Sequence, residues 1–272
     1  MNDIKIFVVM HKNIEVPNID NNFINLLVGQ QNNITLSSNN TVYDNTFDNI
    51  SNQNKYFCEL TGLYWIWKNV DSDIIGLCHY RRYFSKKYFS KNKKYLCNSG
   101  DFKKYLDNYD IVVPKIFVTK YLLYKGYEIG HHFEDMQLCY QIIKDKYPEY
   151  IESFNLVMNS DRLIMFNMFV AKKNVIDEYC KWLFDILFEV QKLSNYLNYD
   201  DYQKRVFGFL AERLFTIWIE YNKNRLRIKY QYVNAFNSSF LFLLRNIVFR
   251  PLRKLRHLFE KKMNFERNRI NI

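Results

Sequence analysis

The run Ile74-Ile75-Gly76-Leu77-Cys78, followed at once by His79-Tyr80-Arg81-Arg82, constrains this chain more than any other stretch. It is short, apolar and without alternation, as expected of a β-strand covered on both faces. Upstream, Tyr56, Phe57, Leu60, Leu63, Tyr64 and Trp67 recur every three or four residues and predict one helix, which Asp71-Ser72-Asp73 then breaks. A helix that returns the chain to a doubly covered strand is the unit of a layered α/β fold.

In open α/β sheets ligands bind at the carboxyl ends of strands, so His79, Arg81 and Arg82 stand where a ligand would lie. Guanidinium groups match phosphate oxygens bidentately, which makes this pair a candidate diphosphate site. The competing reading pairs one arginine with a carboxylate such as Asp73 and leaves the other in solvent.

At 272 residues the chain can bury a substantial core. Its abundant Asn, Lys, Ile, Tyr and Phe reflect AT-rich coding, so aromatic content alone is no sign of carbohydrate or base stacking. Five scattered cysteines without a CxxC pair argue against a disulfide framework or zinc knuckle and for a reducing cytoplasm. The first apolar run is too short for an export signal.

The formal charge is +11, and residues 238–272 hold nine Lys/Arg against two Glu, a net of +7. Within that segment Leu252, Leu255, Leu258 and Phe259 share a face opposite Arg253, Lys254, Arg256 and Lys261. This is the pattern of a basic amphipathic helix lying on anionic lipid. Nucleic acid is the weaker alternative, since no groove-reading module accompanies it. The expected organisation is a domain over 1–237 and a membrane-associating tail over 238–272.

Taken in order, Ile4 to Met10 predicts a first strand with His11 and Lys12 at its carboxyl end, suited to base or phosphate contacts. Residues 13–55 predict loops with one or two short strands, and Ser51 or Asn54 is expected to cap the helix that follows. Ser85 to Lys104 is read as a loop over the site. Asp110 to Lys115 predicts a strand ending in proline, with Lys115 a second phosphate candidate.

The segment Gly130-His131-His132-Phe133-Glu134-Asp135 lacks metal-ligand spacing. It predicts a loop-to-helix junction in which Glu134 and Asp135 enjoy the helix dipole and one of them is a candidate general base. Leu163 to Ala171 predicts a strand in which Asn167 must find hydrogen bonds from backbone or substrate. Tyr202 to Tyr221 predicts a helix, where Arg205, Gly208 and Glu212 line one side as a site wall or an edge ion pair.

Cys58-Glu59-Leu60-Thr61-Gly62-Leu63-Tyr64-Trp65-Ile66-Trp67-Lys68-Asn69, with Gly76 to Phe84, closely resembles a bacterial glycosyltransferase family of capsule and exopolysaccharide gene clusters, formerly catalogued as a domain of unknown function. Asp44-Asn45-Thr46 with Asn49-Ile50-Ser51, the His132 to Asp135 segment, Asn167-Met168-Phe169 and Arg205 to Arg213 extend the resemblance over roughly 3–222. Phe47 departs from it, standing where glycine is expected.

The resemblance implies a GT-A-like α/β fold, a mixed sheet flanked by helices. It implies an enzyme that transfers a sugar, such as galactopyranose or galactofuranose, from a UDP-sugar to a lipid-linked or growing polysaccharide at the inner face of the membrane. Many GT-A enzymes hold a divalent metal on an Asp-x-Asp at the corresponding strand end; this chain has His79 to Arg82 there, and Asp71-Ser72-Asp73 precedes the strand. No cofactor is therefore expected, manganese or magnesium is disfavoured, and Arg81 and Arg82 are expected to neutralise the leaving UDP. His11, Lys12, His79, Lys115 and Arg205 would assist donor binding, with Asn167, His132 and Gly208 on the substrate. The general base would be Glu134 or Asp135 first, and Glu212 next. The alternative is a non-catalytic nucleotide- or polysaccharide-binding module.

Overall fold

The computed structural model describes residues 3–12, 14–29, 40–88, 90 and 92–235. In chain order its first elements are strands β1 (Ile4–Met10), β2 (Phe23–Leu27) and β3 (Thr41–Tyr43), helices α1 (Asn54–Phe57) and α2 (Leu60–Asn69), then β4 (Ile74–His79) and β5 (Arg82–Ser85). Next come α3 (Ser99–Asn108), β6 (Ile111–Pro114), β7 (Phe117–Val118), α4 (Leu123–Gly130), α5 (Phe133–Lys146) and α6 (Ile151–Met158). The last are β8 (Arg162–Leu163), β9 (Phe169–Lys172), α7 (Lys173–Leu193), α8 (Val206–Asn222) and β10 (Ile228–Ala235).

The period-two geometry of a strand sends successive side chains to opposite faces, and β1 shows the consequence. Ile4, Ile6, Val8 and Met10 enter one hydrophobic cluster, while Phe7 and Val9 enter the other. The larger cluster lies under α1, α2, α5, α6, α7 and α8; the smaller lies under α3. Every residue of β4 is buried, as its unbroken apolar sequence requires. Gly76 is needed there, because a Cβ would come within 3.0 Å of both Ile6 and Val170. Gly62 does the same for the helical layer: a Cβ at this position of α2 would meet Val28 at 2.9 Å and Leu26 at 3.0 Å.

Strand β1 lies parallel between β2 and β4, with β3 parallel beyond β2. On its other side β4 pairs antiparallel with β9 through Leu77, and then with β5 through His79↔Arg82. Since β9 pairs with β6, β6 with β10 and β10 with β5, the strands on this side close a circuit that returns to β4. The result is the expected mixed sheet flanked by helices.

Several local expectations are corrected. The aromatic helix is two helices, because Cys58 takes a left-handed φ of 51° and turns the chain between α1 and α2. The strand expected over Leu163 to Ala171 is interrupted between β8 and β9, where Phe166 (φ 80°) and Asn167 (φ 50°) are both left-handed. Ser85 to Lys104 is not all loop: β5 ends at Ser85, and α3 begins behind a reciprocal capping box of Asn98 and Asp101. Neither Ser51 nor Asn54 caps a helix. Ser51 donates to buried Asp44, and Asn54 donates to the Cys58 carbonyl and Thr61. Phe47 does adopt the left-handed backbone (φ 52°) that glycine would favour, with its ring exposed.

The basic tail read over 238–272 lies outside the described residues. Among those described, no helix is long and apolar enough to cross a membrane.

Candidate active site

The parallel register sets Val9 beside His79, and the Tyr80 N–H donates to the Val9 carbonyl, so the chain leaves β1 and β4 side by side. His11 and Tyr80 meet edge to face at 5.3 Å. Arg81 lies over the Tyr80 ring at 4.9 Å and is exposed; Arg82, half-buried, lies over Phe166 at 4.2 Å. Neither arginine side chain makes a hydrogen bond or ion pair among the described residues. Asp73, the carboxylate weighed as a partner, instead accepts the Asp3 N–H at 2.8 Å, at the opposite end of β4. Two cations on aromatic faces beside each other remain available to an anion.

His79 is buried, and its Nε2–H donates to the Phe166 carbonyl at 2.6 Å. Burial and the neighbouring Arg82 push its pKa down to about 4, so the ring is neutral at pH 7 and Nδ1 is its acceptor. His11 is also shifted downward, first by burial and then by Lys12, Arg81 and Arg205, which marks a convergence of positive charge.

Two carboxylates face this cationic group. Glu212 Oε1 accepts the Phe166 N–H at 2.9 Å, and Arg213 lies 3.5 Å from Oε2. Glu59 Oε1 accepts the Asn167 amide at 2.7 Å. Burial raises both pKa values; Arg82 opposes the rise in each, and Glu59 adds to it in Glu212. The left-handed pair Phe166-Asn167 thus delivers a backbone N–H to one carboxylate and a side-chain amide to the other. Asn tolerates that backbone region well; phenylalanine does not, so the turn stores strain where the site is built. Asn167 Oδ1 is buried without a partner among the described residues.

Arg205 completes the wall. It precedes α8, bonds Cys58 Sγ at 3.4 Å and lies over Phe209 at 5.6 Å. The helix expected from Tyr202 starts only at Val206, so Arg205 is in the preceding 3-10 turn rather than on a continuous face with Glu212. Gly208 faces Cys58: a Cβ there would meet Cys58 atoms at 3.7 Å, ordinary contact, and its carbonyl is 3.5 Å from the Asn167 amide.

His11, His79, Arg81, Arg82, Asn167, Arg205, Gly208 and Glu212 are therefore linked through contacts and charge. Lys12 is exposed near them in sequence. Lys115 lies over Tyr232 at 3.8 Å, on the β6–β10 side. Asp135 belongs to a separate group: it is buried, accepts from Tyr199 at 3.2 Å, and burial raises its pKa to about 6. His132 stacks on Tyr199 at 3.7 Å, and Glu134 is exposed. Sequence reasoning passed over Glu59, Cys58 and Phe166 as site members. A carboxylate inside the helical apolar pattern of Tyr56 to Trp67 was the available signal for Glu59.

Among the described residues no three His, Cys, Asp or Glu side chains are gathered to hold a metal ion. Asp71-Ser72-Asp73 precedes β4 and binds back to Asp3 through Ser72 and Asp73.

A solved structure with a similar fold is that of the WbbM bifunctional glycosyltransferase in its apo form, at 30% identity and a TM-score of 0.77. The similarity covers 87% of this chain and 46% of that one, so the chain spans less than half of that protein. No curated protein matches. The model of the family described as Domain of unknown function (DUF4422) matches residues 5–225, and the chain belongs to that family.

Proposed function

We propose that this chain is a glycosyltransferase that moves a sugar from a nucleotide diphosphate donor, a UDP-sugar, to a saccharide acceptor. The observation that carries the reading is the pair Arg81 and Arg82, without anionic partners among the described residues, facing two half-buried carboxylates where β1 and β4 end. The likeness to a bifunctional glycosyltransferase over most of this chain supports it.

In this reading the guanidinium groups neutralise the diphosphate as the bond from the sugar's anomeric carbon to the phosphate oxygen breaks. Arg205 and His11 add positive charge around the donor. The acceptor hydroxyl attacks the anomeric carbon and gives its proton to a carboxylate; Glu212, beside Arg82, is favoured over Glu134 and Asp135. Glu59 and Asn167 hold the turn that carries Phe166. Burial keeps the pKa of Glu212 above the ordinary carboxylate value, closer to that of a useful base. The donor diphosphate is held by arginines instead of a divalent metal. The acceptor is a growing surface polysaccharide on a lipid carrier, and residues 238–272 bring the enzyme to anionic lipid at the inner face of the membrane.

Thermal-shift screening against UDP-, GDP- and CMP-sugars tests donor choice, because a donor that binds the folded state raises its apparent stability. A UDP-sugar should stabilise the protein and be slowly hydrolysed, and Arg82→Ala should weaken the first effect and slow the second about 100-fold or more. Binding without hydrolysis or transfer in the presence of any acceptor would make the chain a nucleotide-binding module. Activity lost to EDTA and restored by manganese would end the arginine-only account of the diphosphate.

A further inference from the structure

A second cleft, of about 440 Å3, opens between α4, α5 and α6. Its size is that of a ligand site. Helix α5 presents Phe133, Gln137, Tyr140 and Gln141 to it, a stripe at three- and four-residue spacing, while Asp135, Cys139, Ile142 and Ile143 on the other face are buried. Tyr124 packs edge to face against Phe133 at 5.4 Å, and Tyr140 against Phe154 at 5.2 Å.

No charged residue among those described lines this cleft, although a quarter of the chain is charged and the net charge is +11. Its polar groups are amides and phenols. The side chains of Gln137, Gln141 and Asn155 make no hydrogen bond among the described residues. A pocket that offers aromatic surface beside paired donors and acceptors, with no charge, matches the chemistry of a neutral sugar. The C–H face of a pyranose ring packs on an aromatic ring, and its hydroxyls, each both donor and acceptor, pair with amides. An anionic glycan or a phosphate would find no cation among these lining residues.

The start of α5 joins the cleft to the wall of the candidate site: Phe133 lines the cleft, and His131, two residues earlier, packs on that wall. His131 stacks on Phe209 at 4.1 Å and bonds Gln203, Arg205 lies over the same Phe209 ring, and α5 begins two residues after His131. We propose that the cleft between α4, α5 and α6 binds a neutral segment of the acceptor saccharide, holding the growing chain beside the transfer site. This rests on the glycosyltransferase reading for its biological meaning, but the binding itself does not.

The test titrates the full chain with neutral gluco-, galacto- and manno-oligosaccharides of four to eight units, and with oligogalacturonate as the anionic control. Binding is followed by calorimetry and by saturation transfer from protein to sugar. At least one neutral series should bind and oligogalacturonate should not. Gln137→Ala and Gln141→Ala should each weaken that binding about fivefold, one hydrogen bond's worth, and Tyr140→Ala should abolish it. Because both glutamines are exposed, their variants should keep the wild-type melting temperature and the wild-type rate of UDP-sugar hydrolysis. No neutral series binding, preference for the anionic glycan, or binding indifferent to both glutamine variants would overturn the proposal. Donor hydrolysis is read separately. If it is absent while the cleft binds sugar, the enzymatic reading falls and the cleft stands; the reverse result removes the cleft alone.

Discussion

Asn167 donates its side-chain amide to Glu59 Oε1 at 2.7 Å, joining residues 108 apart in sequence across the floor of the candidate site. The bond is made possible by the left-handed backbone of Asn167, which turns the side chain away from the path of a strand and towards α2.

Replacing Asn167 by Ala should cost about 1–3 kcal/mol, because the half-buried Glu59 carboxylate loses its donor, and about 1 kcal/mol more for alanine in the left-handed region. Asn167→Gly loses the bond but keeps the backbone. Urea denaturation of both variants separates the two contributions: equal losses would show that backbone conformation is not at issue.

Arg82→Ala should lower the rate of donor turnover about 100-fold or more, the scale seen when a group that stabilises developing negative charge is removed. Arg81→Ala should do less, since Arg81 is exposed and Arg82 half-buried, where water screens less. Arg82→Lys should not rescue fully, because an ammonium cannot form the bidentate contact. Steady-state kinetics with a UDP-sugar decide this; a larger loss at Arg81 would reverse the assignment.

Asp135 predicts a pH signature. Burial raises its pKa from 3.8 to about 6, so the folded state binds more protons than the unfolded state between these values. Its contribution to stability is therefore greatest at low pH and falls as pH rises towards 6. Asp135→Asn removes this dependence, and the variant should gain on the wild type by about 3 kcal/mol across that interval. His79 and His131, both lowered to about 4, slope the opposite way between there and 6.5, so the difference between variant and wild type is the quantity to measure. A difference independent of pH would show that Asp135 is not titrating.

Gly208→Ala should stabilise the protein by about 0.5–1 kcal/mol, since alanine is the better helix former and its methyl would meet Cys58 only at contact distance. Thermal denaturation reads the stability, and donor and acceptor kinetics read the rest. A stabilised variant with impaired acceptor use would mean that a substrate approaches the bare Cα of this residue. Unchanged kinetics would leave Gly208 as a packing position.

The organising strand was legible because burial on both faces forces an unbroken apolar run, and the topology rule for strand ends then singled out His79, Arg81 and Arg82. In α7, Val175, Ile176, Tyr179, Trp182, Leu183, Ile186, Leu187 and Val190 likewise recur at helical spacing and are all buried. What periodicity could not show was where the backbone departs from it. Cys58, Phe166 and Asn167 all take positive φ inside apolar stretches, and nothing in residue type announces this for Phe or Cys. Those same departures bring Glu59 and Glu212 together, so Glu59 was hidden by the turns that create the site, whereas Glu212 was legible from its place on the helix. Asp135 drew attention as an acidic residue at a helix start, a local feature that does not report which long-range neighbours it will meet.

The strand circuit through β4, β9, β6, β10 and β5 has a mechanical consequence. The hairpin bearing Arg81 and Arg82 is anchored on both sides by main-chain ladders, so the cationic end of the site is stiff and cannot hinge open without breaking sheet hydrogen bonds. If a leaving group is gripped there, it meets a fixed anvil, set before any substrate arrives.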